Sequence, residues 1–122
     1  MLTRRCVEEF GLAPNEVDVL AFLSNGKEDT AGDICRVQGH SKSLVCRSVE
    51  GLTRKGYLVQ RTDEVDRRVV HLLLTEEAKL VTDRIQAQKA AFRRTLYDGI
   101  PEQETAVFFR VLNQMAENAM KE

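Results

Sequence analysis

Residues 61–75 read RTDEVDRRVVHLLLT. Asp63, Glu64 and Asp66 stand hard against Arg67 and Arg68, and the chain then runs into Val69, Val70, His71, Leu72, Leu73 and Leu74. The second half is apolar and β-branched, as a buried strand requires, while the first half is too charged to be buried. Upstream, Tyr57-Leu58-Val59-Gln60-Arg61 also alternates with period two. The pattern predicts a β-hairpin with strands over 57–61 and 69–74 and a charged tip that projects away from the core.

Before the hairpin the period is helical. SKSLVCRSVEGLTRKG (41–56) predicts a helix capped by Ser41 and closed by Gly56, with Val45, Val49 and Leu52 as its buried stripe. Its opposite face carries Lys42, Ser43, Cys46, Arg47 and Arg54. TAGDICRVQG (30–39) predicts a short helix with Thr30 as N-cap and Asp33 completing an approximate capping box. Two short helices joined by the tight turn QGHS form a helix-turn-helix signature. Pro14 opens an earlier helix that ends at Asn25-Gly26, with Val17, Leu20 and Ala21 on one face.

Beyond the hairpin, Thr75-Glu76-Glu77 starts a long helix to about Tyr97, with Leu80 or Val81, Ile85, Phe92 and Leu96 as its stripe. Asp98-Gly99 breaks it. Pro101 then opens a last helix with Val107, Phe108, Val111, Leu112, Met115 and Ala119 on one broad face. So small a domain has little core left for these helices to cover, and their apolar faces are expected to bury against a second copy.

At 122 residues the chain is expected to be a single domain, with 43% hydrophobic and 30% charged residues. No apolar run reaches the length of a membrane span and the start has no signal-peptide core, so a cytoplasmic protein without membrane contact is expected. The net charge of −1 hides an uneven distribution. Residues 1–40 hold four basic and seven acidic side chains, whereas residues 41–70 hold seven basic and four acidic. A basic middle third between acidic ends suits a polyanion at one face.

Enzyme chemistry finds little support. No carboxylate pair, Cys/His couple or Gly-rich phosphate loop stands out, and His40 and His71 read as structural. Cys6, Cys35 and Cys46 lack metal-ligand spacing, so neither metal nor cofactor is expected.

The order of helix, helix-turn-helix, two-stranded wing and long helices describes a mostly α winged helix-turn-helix with a small β-hairpin, flanked by N- and C-terminal dimerisation helices. In particular, Ser41-Lys42-Ser43 with Val45, Arg47, Leu52, Lys55 and Gly56, followed by Asp63, Asp66-Arg67-Arg68 and Leu74-Thr75-Glu76, resembles the multiple antibiotic resistance regulator (MarR) family of transcription factors. The match runs ungapped from about Thr30 to Glu76, and the terminal helices fit the family's dimer arm more loosely. The resemblance implies a DNA-binding core over 14–75 and a dimerisation region over 1–13 and 76–122. It implies a homodimeric regulator, more often a repressor, on a pseudo-palindromic site in double-stranded DNA. The alternative is a winged-helix module for protein contacts without specific DNA binding.

In that frame the recognition helix 41–55 lies in a major groove and the wing 61–69 at the adjacent minor groove, whose negative potential favours arginine. The expected DNA-binding residues are Ser41, Lys42, Ser43, Leu44, Cys46 and Arg47, together with Arg67 and Arg68. Ser41 and Ser43 suit phosphate, Arg47 suits guanine or phosphate, and Leu44 and Cys46 offer apolar contact to a thymine methyl. Asp66 is expected to hold one tip arginine in an extended geometry through a bidentate pair, with Asp63 and Glu64 keeping the tip polar. Family members often carry threonine or serine where Leu44 and Cys46 stand, so this helix departs from the pattern, which leaves the operator sequence open but not DNA binding itself.

Release by a small-molecule effector or by thiol oxidation completes the expectation, with Cys6, beside Arg4 and Arg5, and Cys46 on the DNA face as the redox candidates. Cys35 falls on the buried side of its helix. The N-terminal helix, confined to residues 2–10, is shorter than in family members. A smaller, shallower effector pocket, or none, is expected from that.

Overall fold

The computed structural model describes residues 2–121, with side chains at 4 and 7–121. In chain order the elements are α1 (Leu2–Phe10), α2 (Pro14–Leu23), α3 (Ala31–Gln38), α4 (Lys42–Arg54), β1 (Leu58–Thr62), β2 (Val70–Leu74), α5 (Glu76–Leu96) and α6 (Glu102–Met120). The chain divides into two units, residues 1–89 and residues 90–122.

Local chemistry sets the boundaries in the first unit. Thr30 Oγ1 accepts the Asp33 N–H at 3.1 Å, and Asp33 Oδ2 accepts the Thr30 N–H at 3.3 Å, which is the reciprocal box expected at the start of α3. Gly39 ends α3 at φ 73°, a left-handed conformation that a side chain would strain. One residue later Ser41 caps α4, its Oγ accepting the Leu44 N–H at 3.2 Å. Gly56, at φ 87°, turns the chain out of α4 into the hairpin. The helix-turn-helix is therefore fixed by two caps and two left-handed glycines.

The hairpin is antiparallel, with Leu58 opposite Leu74, Gln60 opposite Leu72 and Thr62 opposite Val70. Both strands start one residue later than the alternation predicts. Tyr57 is held outside the ladder, its N–H bonding Leu52 O and its carbonyl accepting Thr75 N–H. The edge of β2 is pinned to the segment between α2 and α3, where Asp29 O accepts the Leu72 N–H at 2.7 Å.

One core joins these elements. Leu20 from α2, Ile34 from α3, Val45 and Leu52 from α4, and Leu58 and Leu72 from the hairpin are all buried. Ala78, Val81 and Ile85 from the first turns of α5 complete it. Each of the Leu, Ile and Val side chains contributes roughly 1.5–3 kcal/mol on burial. Val81 takes the core position, and Leu80 faces solvent at 72% exposure. An open cleft of about 300 Å³ lies against β2, lined among others by Leu23, Lys27, Glu28, Asp29 and Leu74.

The second unit has a different character. It comprises the end of α5 and the whole of α6, and no residue of α6 is buried. Tyr97 and Phe109 meet edge to face at 6.2 Å, as do Phe108 and Phe109 at 5.3 Å. Phe92, Leu96, Val107, Phe108, Leu112 and Met115 remain exposed. No helix among the described residues is long and apolar enough to cross a membrane.

Candidate nucleic-acid interface

Helix α4 presents two opposed faces. Val45, Ser48, Val49, Gly51 and Leu52 are buried, and Ser48 donates its hydroxyl back to Leu44 O so that no polar group is stranded. Lys42, Ser43, Cys46 and Arg47 are exposed on the other side, with the capping Ser41 also exposed. Leu44 is half-buried, so it sits at the margin of this face rather than on it. Five of the six helix residues expected to meet DNA therefore share an accessible surface.

A close approach seats α4 on α2. Gly51 faces Glu16, and a Cβ at Gly51 would collide with Glu16 Oε2. Glu16 is 5% exposed, yet its carboxylate is well partnered. Its Oε1 accepts the Ala13 N–H at 2.7 Å and Lys55 Nζ at 2.6 Å, and Lys55 also donates to Gly11 O at 3.1 Å. A buried carboxylate, a glycine and a lysine thus fix the crossing of α2 and α4.

The wing tip is organised by two aspartates with separate tasks. Asp66 Oδ1 accepts from the Arg68 Nε at 3.1 Å and Oδ2 from its Nη2 at 3.3 Å, a bidentate pair. The Arg68 side chain is 91% exposed, so the pair leaves it open to solvent. Hydrogen bonds from Arg68 hold the Asp66 carboxyl below its ordinary value. Arg67 is exposed and has no carboxylate partner among the described residues.

Asp63 does more than keep the tip polar. Its Oδ2 accepts the N–H groups of Val65 at 3.0 Å and Asp66 at 2.8 Å, and its Oδ1 meets His71 Nε2 at 2.9 Å. The Asp66 N–H, then His71, then the Val65 N–H bring the Asp63 carboxyl down to about 2. On the far side of the ring, His71 Nδ1 lies 2.8 Å from Asp29 Oδ1. Asp29 first and Asp63 second raise the His71 pKa above its ordinary value. The pattern of residues 61–75 places His71 within a strand but does not reveal Asp29 as its partner, 42 residues away.

Cys46 is exposed and Cys35 half-buried against the core, both as free thiols. The Cys6 side chain lies outside the described residues. His40 Nε2 is 3.5 Å from Asp18 Oδ2, an ion pair when the ring is charged. Among the described residues no group of His, Cys, Asp or Glu is placed to hold a metal ion.

Comparison with known proteins agrees with this geometry. Residues 10–69 match the model of the MarR family. The chain is 30% identical over 110 residues to YfiV of Bacillus subtilis (strain 168), an uncharacterized HTH-type transcriptional regulator, covering 88% of this chain and 69% of YfiV. The chain belongs to the MarR family. A MarR-family transcriptional regulator from Silicibacter pomeroyi has a similar structure, with a TM-score of 0.79 and 26% identity, over 96% of this chain and 79% of that one. FabT of Streptococcus pneumoniae, in a crystal structure with DNA, matches with a TM-score of 0.71 and 25% identity, over 90% of this chain and 77% of FabT. The mostly helical fold with its two-stranded wing is that of the MarR structures. Family membership makes this a DNA-binding transcriptional regulator of the helix-turn-helix type, in a family of regulators rather than of enzymes.

Proposed function

We propose that this MarR-type regulator acts in the cytoplasm as a homodimer on a pseudo-palindromic duplex, and that it represses transcription there. The observation that carries the reading is the exposed face of α4, which sets Lys42, Ser43, Cys46 and Arg47 opposite a fully buried stripe. Such a helix is free to enter a major groove without disturbing the core. In this reading the Ser41 and Ser43 hydroxyls and Lys42 take phosphates, and Arg47 takes a guanine edge. Leu44 lends an apolar margin beside a thymine methyl.

The wing supplies the second contact. Arg67 and the Asp66-held Arg68 reach the adjacent minor groove, where preorganisation by Asp66 reduces the rotamer freedom lost on binding. The crystal structure of FabT with DNA supports the choice of ligand. The exposed apolar residues of α6 support a second copy, with residues 1–13 and 76–122 as the dimerisation region outside the core of residues 14–75. Two copies would set their recognition helices about 34 Å apart, one turn of B-DNA.

Release follows from any change that favours another spacing, whether a small ligand or a modified thiol. Oxidation of Cys46 would add bulk and charge against phosphate on the groove face itself. The test is selection of bound sequences from random duplex DNA, followed by titration of the winner at two salt concentrations. Enrichment of an inverted repeat with salt-sensitive affinity is the expected result. Absence of both would assign the wing and α4 to a protein partner instead.

A further inference from the structure

The bridge from Asp29 through His71 to Asp63 stands apart from the groove-facing residues. His71 is the second residue of β2 and has a half-buried ring, and each ring nitrogen is within 3 Å of a carboxylate oxygen. A neutral imidazole carries one N–H and so can donate to one of these partners. The other nitrogen would then set its lone pair against a carboxylate. Both short contacts are hydrogen bonds together only when the ring is doubly protonated.

What the ring joins is specific. Asp63 uses its other oxygen to accept the Val65 and Asp66 N–H groups at the tip of the hairpin, and Asp66 in turn holds Arg68. Asp29 immediately precedes Thr30, the N-cap of α3. A continuous run of hydrogen bonds therefore leads from the entry of the helix-turn-helix to the arginine-bearing tip.

We propose that His71 is a positioning residue for the wing, and that its doubly protonated form, tying Asp63 to Asp29, is the form that binds DNA more tightly. The proposal rests on the DNA-binding role of the wing given above. The charged groups that face the ring are Asp29 from the segment before α3, Asp63 from the hairpin loop and Arg61 directly across on β1. Two carboxylates in direct contact outweigh one exposed guanidinium, and the ring's proton affinity rises accordingly.

The sign follows from that direction. A histidine raised above its ordinary 6.5 keeps its bridge complete below that value and loses it as pH rises through the raised one. Loss of the proton leaves β2 in place, because the Leu72 N–H to Asp29 carbonyl bond carries no titrating group. The effect is confined to the tip.

The experiment measures affinity for the selected duplex from about pH 6 to pH 9 at fixed ionic strength, across the range where a histidine titrates. Wild type is compared with His71→Gln and His71→Lys. Wild-type affinity falls as pH rises. His71→Gln binds roughly tenfold more weakly at the acid end, the size of one charge-assisted hydrogen bond, and is flat. His71→Lys binds well at every pH, because an ammonium donates to both carboxylates without titrating there. A His71→Gln protein that keeps the wild-type pH profile overturns the proposal.

A second readout uses the free protein. The His71 ring, followed by NMR, titrates above 6.5, and the Val65 and Asp66 amides shift with it. An unshifted ring overturns the positioning role even if DNA binding is intact. Wild type that binds no duplex at any pH overturns the DNA reading and with it the wing's part in binding, while the ring titration still reports the bridge.

Discussion

Glu16 on α2 and Lys55 at the end of α4 lie 2.6 Å apart, with the carboxylate 5% exposed and a glycine, Gly51, giving it room. The pair ties the end of α4 to the first turn of α2, beside the close approach of the two helices at Gly51. Lys55 to Ala removes one partner and leaves a buried carboxylate with the Ala13 N–H alone. Loss of about 1–3 kcal/mol is expected, less than for a fully buried pair because the lysine is partly exposed. Urea unfolding of the variant measures this, and a wild-type midpoint would show that the pair is incidental.

Much of the geometry was legible from the chain. Thr30 with Asp33, Ser41 and Gly56 carry their boundary signals in their own side chains or lack of one, so α3 and α4 could be placed within a residue. The hairpin was legible because the period changes from helical to two after Gly56 and Val69 to Leu74 forms a second apolar run beyond a charged tip. The long-range partnerships were not. Nothing local tells that Glu16 meets Lys55 or that His71 meets Asp29, since those contacts arise only once α2, α4 and β2 share a core. Leu44 illustrates the same limit, for its position on the helix permits either face and packing makes it half-buried.

The recognition helix and the wing should fail in different ways. Arg47→Ala is expected to cost on the order of 1–3 kcal/mol at one base step, relaxing specificity there, if the contact to guanine is bidentate. Arg68→Ala and the Arg67/Arg68 double replacement are expected to weaken binding and to flatten its salt dependence without unfolding the domain. Binding titrations against single-base operator variants separate the two. A uniform loss for Arg47→Ala would reassign that side chain to the backbone, and unchanged affinity for the double replacement would remove the wing from the interface.

Acid should loosen the wing tip at a pH set by Asp63. Its carboxyl is lowered from 3.8 to about 2, chiefly by the Asp66 N–H and next by His71. A lowered carboxylate stabilises the fold fully above its unfolded value and loses that contribution as pH falls through the folded one. Asp33, lowered chiefly by the Thr30 hydroxyl, acts in the same direction at the start of α3. Below the range in which His71 titrates, the Val65 and Asp66 amide resonances are therefore expected to hold steady down to about pH 4 and to move together near the Asp63 value. Asp63→Asn removes the transition, and a transition that survives the replacement would assign it to another group.

The end of α5 and α6 carry the remaining prediction. Phe108 and Leu112 stand one turn apart on α6, exposed at 60% and 46%, on a helix none of whose residues is buried within its own chain. So much contiguous apolar surface is costly in water and is expected to close against a second copy. The pair Phe108→Glu and Leu112→Asp places carboxylates on that surface without touching the core formed by Leu20, Ile34, Leu52 and Ile85. Sedimentation should change from a dimer to a single 13.8 kDa chain, with helix content retained by circular dichroism. The monomer keeps its α4 face and hairpin, so it should still bind a half-site weakly. Its affinity for the full inverted repeat should fall by about a hundredfold or more, as expected when two linked contacts become independent. A variant that still sediments as a dimer would move the interface elsewhere on the chain.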